Sequence, residues 1–200
     1  MTSDLTIEPL TPFVGAEIAG VDLRVATKEH VADIRAALLK HQVVFFRDQT
    51  LNQEEHIHFA RQFGELEIHP ATPKGQNNPE VLHIAHGPES RGRENMWHSD
   101  VTWREKPSLG SILKAVEVPA VGGDTLFANM AEAYERLADD IKDKIAGKIA
   151  VHDIARVFAG RLNKTAEQLR ESYPVMEHPI VRTHPETGAN VLYVLSLIHI

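Results

Sequence analysis

A β-sandwich or jelly roll decorated by surface helices is the fold this sequence predicts, and three observations lead to it. Short runs of strand length and composition recur along the chain, Pro- and Gly-containing turn signals separate them, and helical spacing is confined to a few stretches. Those stretches do not alternate one for one with strands, as βαβ units would require. The class is therefore mainly β with helices at the surface, α+β rather than α/β.

Taken in order, LTIEPL and VGAEIAGVDL read as two strands joined by a Pro-containing turn. Thr27 is placed to cap a helix over KEHVADIRAALLKH, where Val31, Ile34 and Leu38 fall on one face. QVVFFRD is a continuous apolar run of strand length and reads as a buried strand. Asn52 with Glu55 three residues on forms a capping box that opens a second helix, NQEEHIHFARQFGE, which Gly64 closes.

From Ile68 to Asn95 the chain is rich in Pro, Gly, Asn and charge, and reads as a long functional loop holding one strand, EVLHIAH. NMWHSDVTW, LGSILKAVEV and GDTLFANM follow as strands, the last two joined by the turn PAVGG. A helix over AYERLADDIKDKIAG, a strand KIAVHD, a helix KTAEQLRESY and a hairpin HPIVRTHPETGANVLYV around Pro-Glu-Thr-Gly complete the order.

Composition narrows the function. The formal net charge is −7, with acidic and basic residues interspersed, which does not suit a surface that neutralises nucleic-acid phosphates. There is no cysteine, so disulfides, thiolate metal sites and cysteine nucleophiles are excluded together. No run of about 18 apolar residues and no signal peptide are present. A cytoplasmic protein that binds neither nucleic acid nor membrane is the expectation, with homo-oligomerisation left open.

The chemistry lies in His98 and Asp100. In an extended chain they project to the same side, so one imidazole and one carboxylate converge on one point. That pair is two thirds of a 2-His-1-carboxylate facial triad, the ligand set of non-haem iron oxygenases. It also fits a bland alternative, a histidine whose ring is hydrogen-bonded by a neighbouring Asp.

Neighbouring blocks bear on that choice. WHSDVTW, GSILKAVEVPAVGGDTLFANMAEAYERL, HQVVFFRDQ, ARQFGELEIHP, PFVGAEIAGVDL and HPIVRTHPETGANVLYV occur in one order, and together they resemble the TauD/TfdA family of Fe(II)- and 2-oxoglutarate-dependent dioxygenases. The resemblance covers Leu5 to Val194 and implies a double-stranded β-helix, or jelly roll. It implies that His98 and Asp100 are iron ligands, that Thr125 contacts the carboxylate of 2-oxoglutarate, and that O2 is the second co-substrate. Substrate contacts fall on His69, Val101, Phe158 and Asn95, while Trp97 and Trp103 pack around the metal segment.

The implied reaction hydroxylates a small anionic organic molecule, such as an alkyl sulfonate, a sulfate ester or an aryloxyalkanoate, and releases succinate and CO2. Two positions depart from the pattern of taurine-acting members, which carry Tyr where this chain has Thr72 and Asn where it has Glu94. The family's second histidine ligand and two arginines are expected after Val194, where the chain reads LSLIHI. Residues 1–194 are therefore expected to be a partial dioxygenase domain, incomplete at the C-terminus, and 195–200 a tail foreign to the family. The alternative function is a catalytically incompetent jelly-roll fragment or pseudo-enzyme that binds metal weakly; a jelly-roll binding protein or isomerase using another divalent ion is a further rival.

Overall fold

The computed structural model describes residues 4–87, 96–160 and 163–195. They divide into two compact units, the first built from the residues up to Leu82 together with Lys114–Asn129, the second from His83–Leu113 together with the described residues from Met130 onward.

In the first unit, β1 (Thr6–Pro9) and β2 (Ala16–Ala19) pair antiparallel with Ile7 opposite Ile18. Gly20 leaves β2 at φ +89°, and a Cβ there would lie 2.8 Å from the Asp4 carbonyl oxygen, so the return of the chain requires glycine. A single 3₁₀ turn (Leu23–Val25) leads to α1 (Lys28–His41), which has the expected bounds. The Thr27 hydroxyl accepts from the His30 amide at 3.2 Å while His30 Nδ1 accepts from the Thr27 amide, a capping box with imidazole in the place of a carboxylate.

The buried strand expected over QVVFFRD is corrected by the structure. Only β3 (Val44–Phe45) is extended and paired, parallel to β2, and it is half-buried. Asp48 adopts φ +54°, which breaks the run, and Arg47 turns outward to pair with Glu17 at 2.9 Å. Asn52 and Glu55 form the expected capping box on α2 (Gln53–Arg61), which ends before Gly64. Ile18, Leu23, Ile34, Ala37, Leu51 and Phe59 make the core. Burial of a ring such as that of Phe59 contributes about 2–3 kcal/mol.

Three further expected strands are absent from the described residues: EVLHIAH has no strand, and neither do LGSILKAVEV and GDTLFANM. Apolar composition suits a strand but does not make one, because each strand needs a neighbour to take its backbone hydrogen bonds. No strand lies beside 109–127 among the described residues, and Val116 and Val121 are 88% and 91% exposed. The segment is held instead by side chains. The Lys114 ammonium donates to the Leu51 carbonyl, and Phe127 meets Phe45 edge to face at 5.9 Å.

The second unit begins its regular structure with α3 (Met130–Glu135) and α4 (Asp139–Ile145), two helices where one was expected. Asp139 and Asp140 open α4, where acidic residues favour a helix start over continuation. Next come β4 (Ile149–His152), α5 (Ala155–Phe158), α6 (Ala166–Ser172) and β5 (Met176–Pro179). β4 and β5 pair antiparallel with Ala150 opposite His178. β6 (Val181–Thr183) and β7 (Asn190–Leu192) form the expected hairpin. Ile154, Ala155 and Leu169 are the core, flanked by Trp103, Phe158, Ala166 and Tyr173.

Among the described residues the strands form sheets of three, two and two, with no closed barrel. Helices and small sheets occur together, as an α+β chain requires, but the strands are fewer and shorter than the apolar runs suggested. Of the expected tail 195–200, only Leu195 is described. No helix among the described residues is long and apolar enough to cross a membrane.

Candidate functional site

His98 and Asp100 do not lie on a strand. Residues 97–99 are irregular and a turn begins at Asp100, so the alternation of an extended chain is not what brings them together. Val101, 4% exposed, takes φ +48°, and the Arg104 amide donates to the Val101 carbonyl at 2.9 Å. A left-handed conformation at a β-branched residue costs on the order of 1–3 kcal/mol and persists where its surroundings enforce it.

His98 Nε2 and Asp100 Oδ1 lie 3.6 Å apart. The two readings of the pair place different demands on this distance. A ring nitrogen hydrogen-bonded to the carboxylate would sit at about 2.7–3.2 Å, so 3.6 Å is not a hydrogen bond. Two ligand bonds of about 2.1 Å meeting at a right angle put their donor atoms about 3.0 Å apart, so a small side-chain adjustment brings this pair to that spacing.

Both atoms are also oriented from behind. His98 Nδ1 lies 2.9 Å from the Met96 carbonyl, which can only accept, so Nδ1 carries the ring proton and Nε2 presents its lone pair. The Ser111 hydroxyl donates to Asp100 Oδ2 at 2.8 Å, which leaves Oδ1 directed at His98. A histidine with its outer nitrogen tied to a carbonyl and a carboxylate tied at its outer oxygen are the usual supports of metal ligands. The two side chains are 42% and 61% exposed, so solvent and small ligands reach them. Neutral imidazole and carboxylate are donors that Fe(II) accepts, and the residues present therefore fit a divalent ion. Among the described residues no third His, Asp or Glu joins them.

The other expected site residues are placed as follows. Val101 is the left-handed residue itself. Phe158, at the end of α5, packs edge to face against Trp103 at 5.6 Å and joins the core. Trp103 thus packs against the core of the second unit, whereas Trp97 is 54% exposed. Thr125, in the first unit, is exposed on an irregular stretch. His69, also in the first unit, is half-buried, and its Nδ1 accepts from the Ala71 amide at 3.1 Å, so the neutral ring carries its proton on Nε2. Asn95 and Glu94 lie outside the described residues.

Ser111 and the Met96 carbonyl were missed by sequence reasoning. The only signal for Ser111 was a small hydroxyl inside the apolar run LGSILKAV. A backbone carbonyl leaves no signal.

A second group of ionisable residues is buried nearby in the same unit. His152 and His178 occupy one face of β4 and β5, with ring centroids 4.9 Å apart, and Tyr193 stacks on His152 at 5.2 Å. Burial, with His178 and Arg182 adding charge repulsion, lowers the His152 pKa from 6.5 to about 4. On the far side, Asp153 receives two hydrogen bonds from Arg170, at 2.7 and 3.1 Å, and one from the Ala155 amide at 3.0 Å. Burial acts to raise its pKa, but these bonds prevail and hold it below the ordinary carboxylate value.

Comparison with known proteins places this geometry in context. Residues 6–197 match the family described as taurine catabolism dioxygenase TauD, TfdA family. An alpha-ketoglutarate-dependent sulfate ester dioxygenase of Pseudomonas putida is 36% identical, over 94% of this chain and 65% of its own length. An alkylsulfatase of Acinetobacter baylyi is 35% identical, over 96% of this chain and 63% of its own. Among solved structures, a taurine dioxygenase from Burkholderia xenovorans superposes with a TM-score of 0.78 at 40% identity, covering 97% of this chain and 64% of that one. The chain thus spans a little under two thirds of the length of these three proteins.

Proposed function

Since this chain belongs to the TauD/TfdA family, we propose that it serves as an Fe(II)- and 2-oxoglutarate-dependent dioxygenase acting on a small anionic organic substrate. The observation that carries the proposal is the 3.6 Å approach of His98 Nε2 and Asp100 Oδ1, each aimed at the other with its outer atom already bonded. The scaffold is read as the family's jelly roll, supported by the likeness to the Burkholderia xenovorans structure.

Iron bound by these two residues, with 2-oxoglutarate and O2, supplies the oxidation that yields succinate and CO2 and places a hydroxyl on a substrate carbon. The protein's part is positional. Met96 fixes the His98 tautomer and Ser111 fixes the Asp100 rotamer, so both donors are held before the ion arrives. Thr125 is assigned to donate its hydroxyl to a 2-oxoglutarate carboxylate, the bond such an oxygen accepts. His69, with its proton on Nε2, presents the donor that a sulfate or sulfonate oxygen needs. Val101 and Phe158 are assigned as apolar walls, and Asn95 as a further substrate contact.

The two curated relatives are named for sulfate esters and the Burkholderia xenovorans structure for taurine; we take a sulfate ester as the substrate class on the names of the first two. Thr72 and Glu94 replace a donor and an amide of the taurine-acting pattern, which sets the chain apart from the taurine-acting members.

The test is consumption of 2-oxoglutarate and O2 with Fe(II) across a panel of alkyl sulfates, alkyl sulfonates and aryloxyalkanoates. Substrate-dependent consumption with stoichiometric succinate, highest for alkyl sulfates, is expected. Turnover that ignores both O2 and 2-oxoglutarate would contradict the proposal.

A further inference from the structure

We propose that His178 is a positioning residue for the metal pair: its ring clamps the turn that follows Asp100 and thereby sets the direction of the carboxylate. The inference rests on the metal reading of His98 and Asp100, and adds to it a residue far away in sequence.

His178 sits on β5 and is 5% exposed. Its Nε2 lies 3.0 Å from the carbonyl oxygen of Thr102 and 3.0 Å from that of Arg104. Both partners can only accept, so the shared proton is on Nε2 and the ring donates to both. The ring cannot readily swing away, since its edge meets His152 at 4.9 Å and Tyr193 at 5.5 Å. Thr102 is itself 7% exposed, so its carbonyl would otherwise be a buried acceptor with an unmet need.

Those two carbonyls belong to a strained turn. Val101 holds φ +48° directly after Asp100, and a β-branched residue released from restraint returns to negative φ. Rotation about the Val101 N–Cα bond moves residues 98–100 as a body relative to the buried Thr102 and to the chain beyond it, including Ser111, whose hydroxyl holds the Asp100 carboxylate. The bond from Arg104 N–H to Val101 closes the turn from within, and His178 ties it to the β4–β5 pair from outside. Together they keep a conformation that the Val101 side chain disfavours. Preorganisation of this kind is what holds ligands within the narrow tolerance of a metal site.

Three readouts on the 200-residue chain test this. In the native protein at pH 8, a long-range ¹H–¹⁵N spectrum should show the His178 ring protonated at Nε2; protonation at Nδ1 overturns the inference. In His178→Ala, amide exchange over residues 98–104 should rise about tenfold or more while exchange in α1 stays unchanged. His178→Gln, whose side-chain amide can donate to the same carbonyls, should restore most of the protection. Unchanged exchange over 98–104 in His178→Ala overturns the inference, as does equal loss in the Gln variant with α1 intact. Should α1 exchange also rise in His178→Ala, the Gln variant and the native tautomer decide.

Titration with Mn(II) provides the readout at the site: affinity should fall about tenfold or more in His178→Ala and recover in His178→Gln. A native chain that takes up no Mn(II) refutes the metal reading itself. Native uptake matched by His178→Ala, with unchanged exchange, refutes the positioning role alone.

Discussion

The Ser111 hydroxyl donates to Asp100 Oδ2 at 2.8 Å across eleven residues of sequence, and so leaves Oδ1 to face His98. One hydrogen bond therefore chooses which carboxylate oxygen faces the imidazole.

Ser111→Ala removes that choice without removing a ligand. An exposed hydrogen bond of this kind contributes about 1 kcal/mol, so divalent-metal affinity should fall roughly fivefold while the melting temperature hardly changes. Calorimetric titration with Mn(II) measures the first and a thermal melt the second.

His152 predicts a stability loss at mildly acidic pH. Its folded pKa, about 4, lies below the ordinary 6.5, so the unfolded chain binds more protons between those values. Stability is full above pH 6.5 and declines as pH falls toward 4, by on the order of 3 kcal/mol. The groups facing the ring are His178, Tyr193 and Arg182. His152→Phe should flatten the melting temperature between pH 7 and pH 5; an unchanged slope would refute the assignment.

Asp153 predicts a second and more acidic window. Its folded pKa is lowered, so its contribution is present above the ordinary carboxylate value of 3.8 and is lost as pH falls below it. Asp153→Asn at neutral pH leaves Arg170 with a weaker partner and should cost about 2 kcal/mol, read as a shift in the urea midpoint. Arg170→Met, which removes the half-exposed partner and leaves the buried carboxylate, should cost at least as much.

The irregular segment 109–127 predicts self-association. Leu113, Val116, Val121 and Leu126 are each more than 70% exposed, and clustered apolar side chains bind one another or dye. Val116→Lys with Val121→Lys should lower both the scattering of concentrated samples and the fluorescence of an apolar dye. Equal scattering in native and doubly substituted protein would show that the segment is not the cause.

Local signals in the sequence were legible and distant ones were not. Thr27 and Asn52 announced their helices because a cap is written within four residues, and the bounds of α1 follow. QVVFFRD and LGSILKAVEV carried the composition of strands, but pairing depends on a neighbour that no local window reveals. The site shows the same division. His98 and Asp100 were visible as a pair, yet they lie on an irregular stretch that runs into a turn with a left-handed Val101 rather than on a pleat, and no spacing rule encodes that. Ser111 and His178 meet the turn from eleven and more than seventy residues away.

Metal uptake by substituted chains tests the central claim most directly. Anaerobic titration of Fe(II) into the native chain, His98→Ala and Asp100→Ala should show one site in the native protein, weakened in each variant by more than the roughly 10–100-fold that supporting residues contribute. Equal affinity in all three would mean that the imidazole and the carboxylate hold no ion between them.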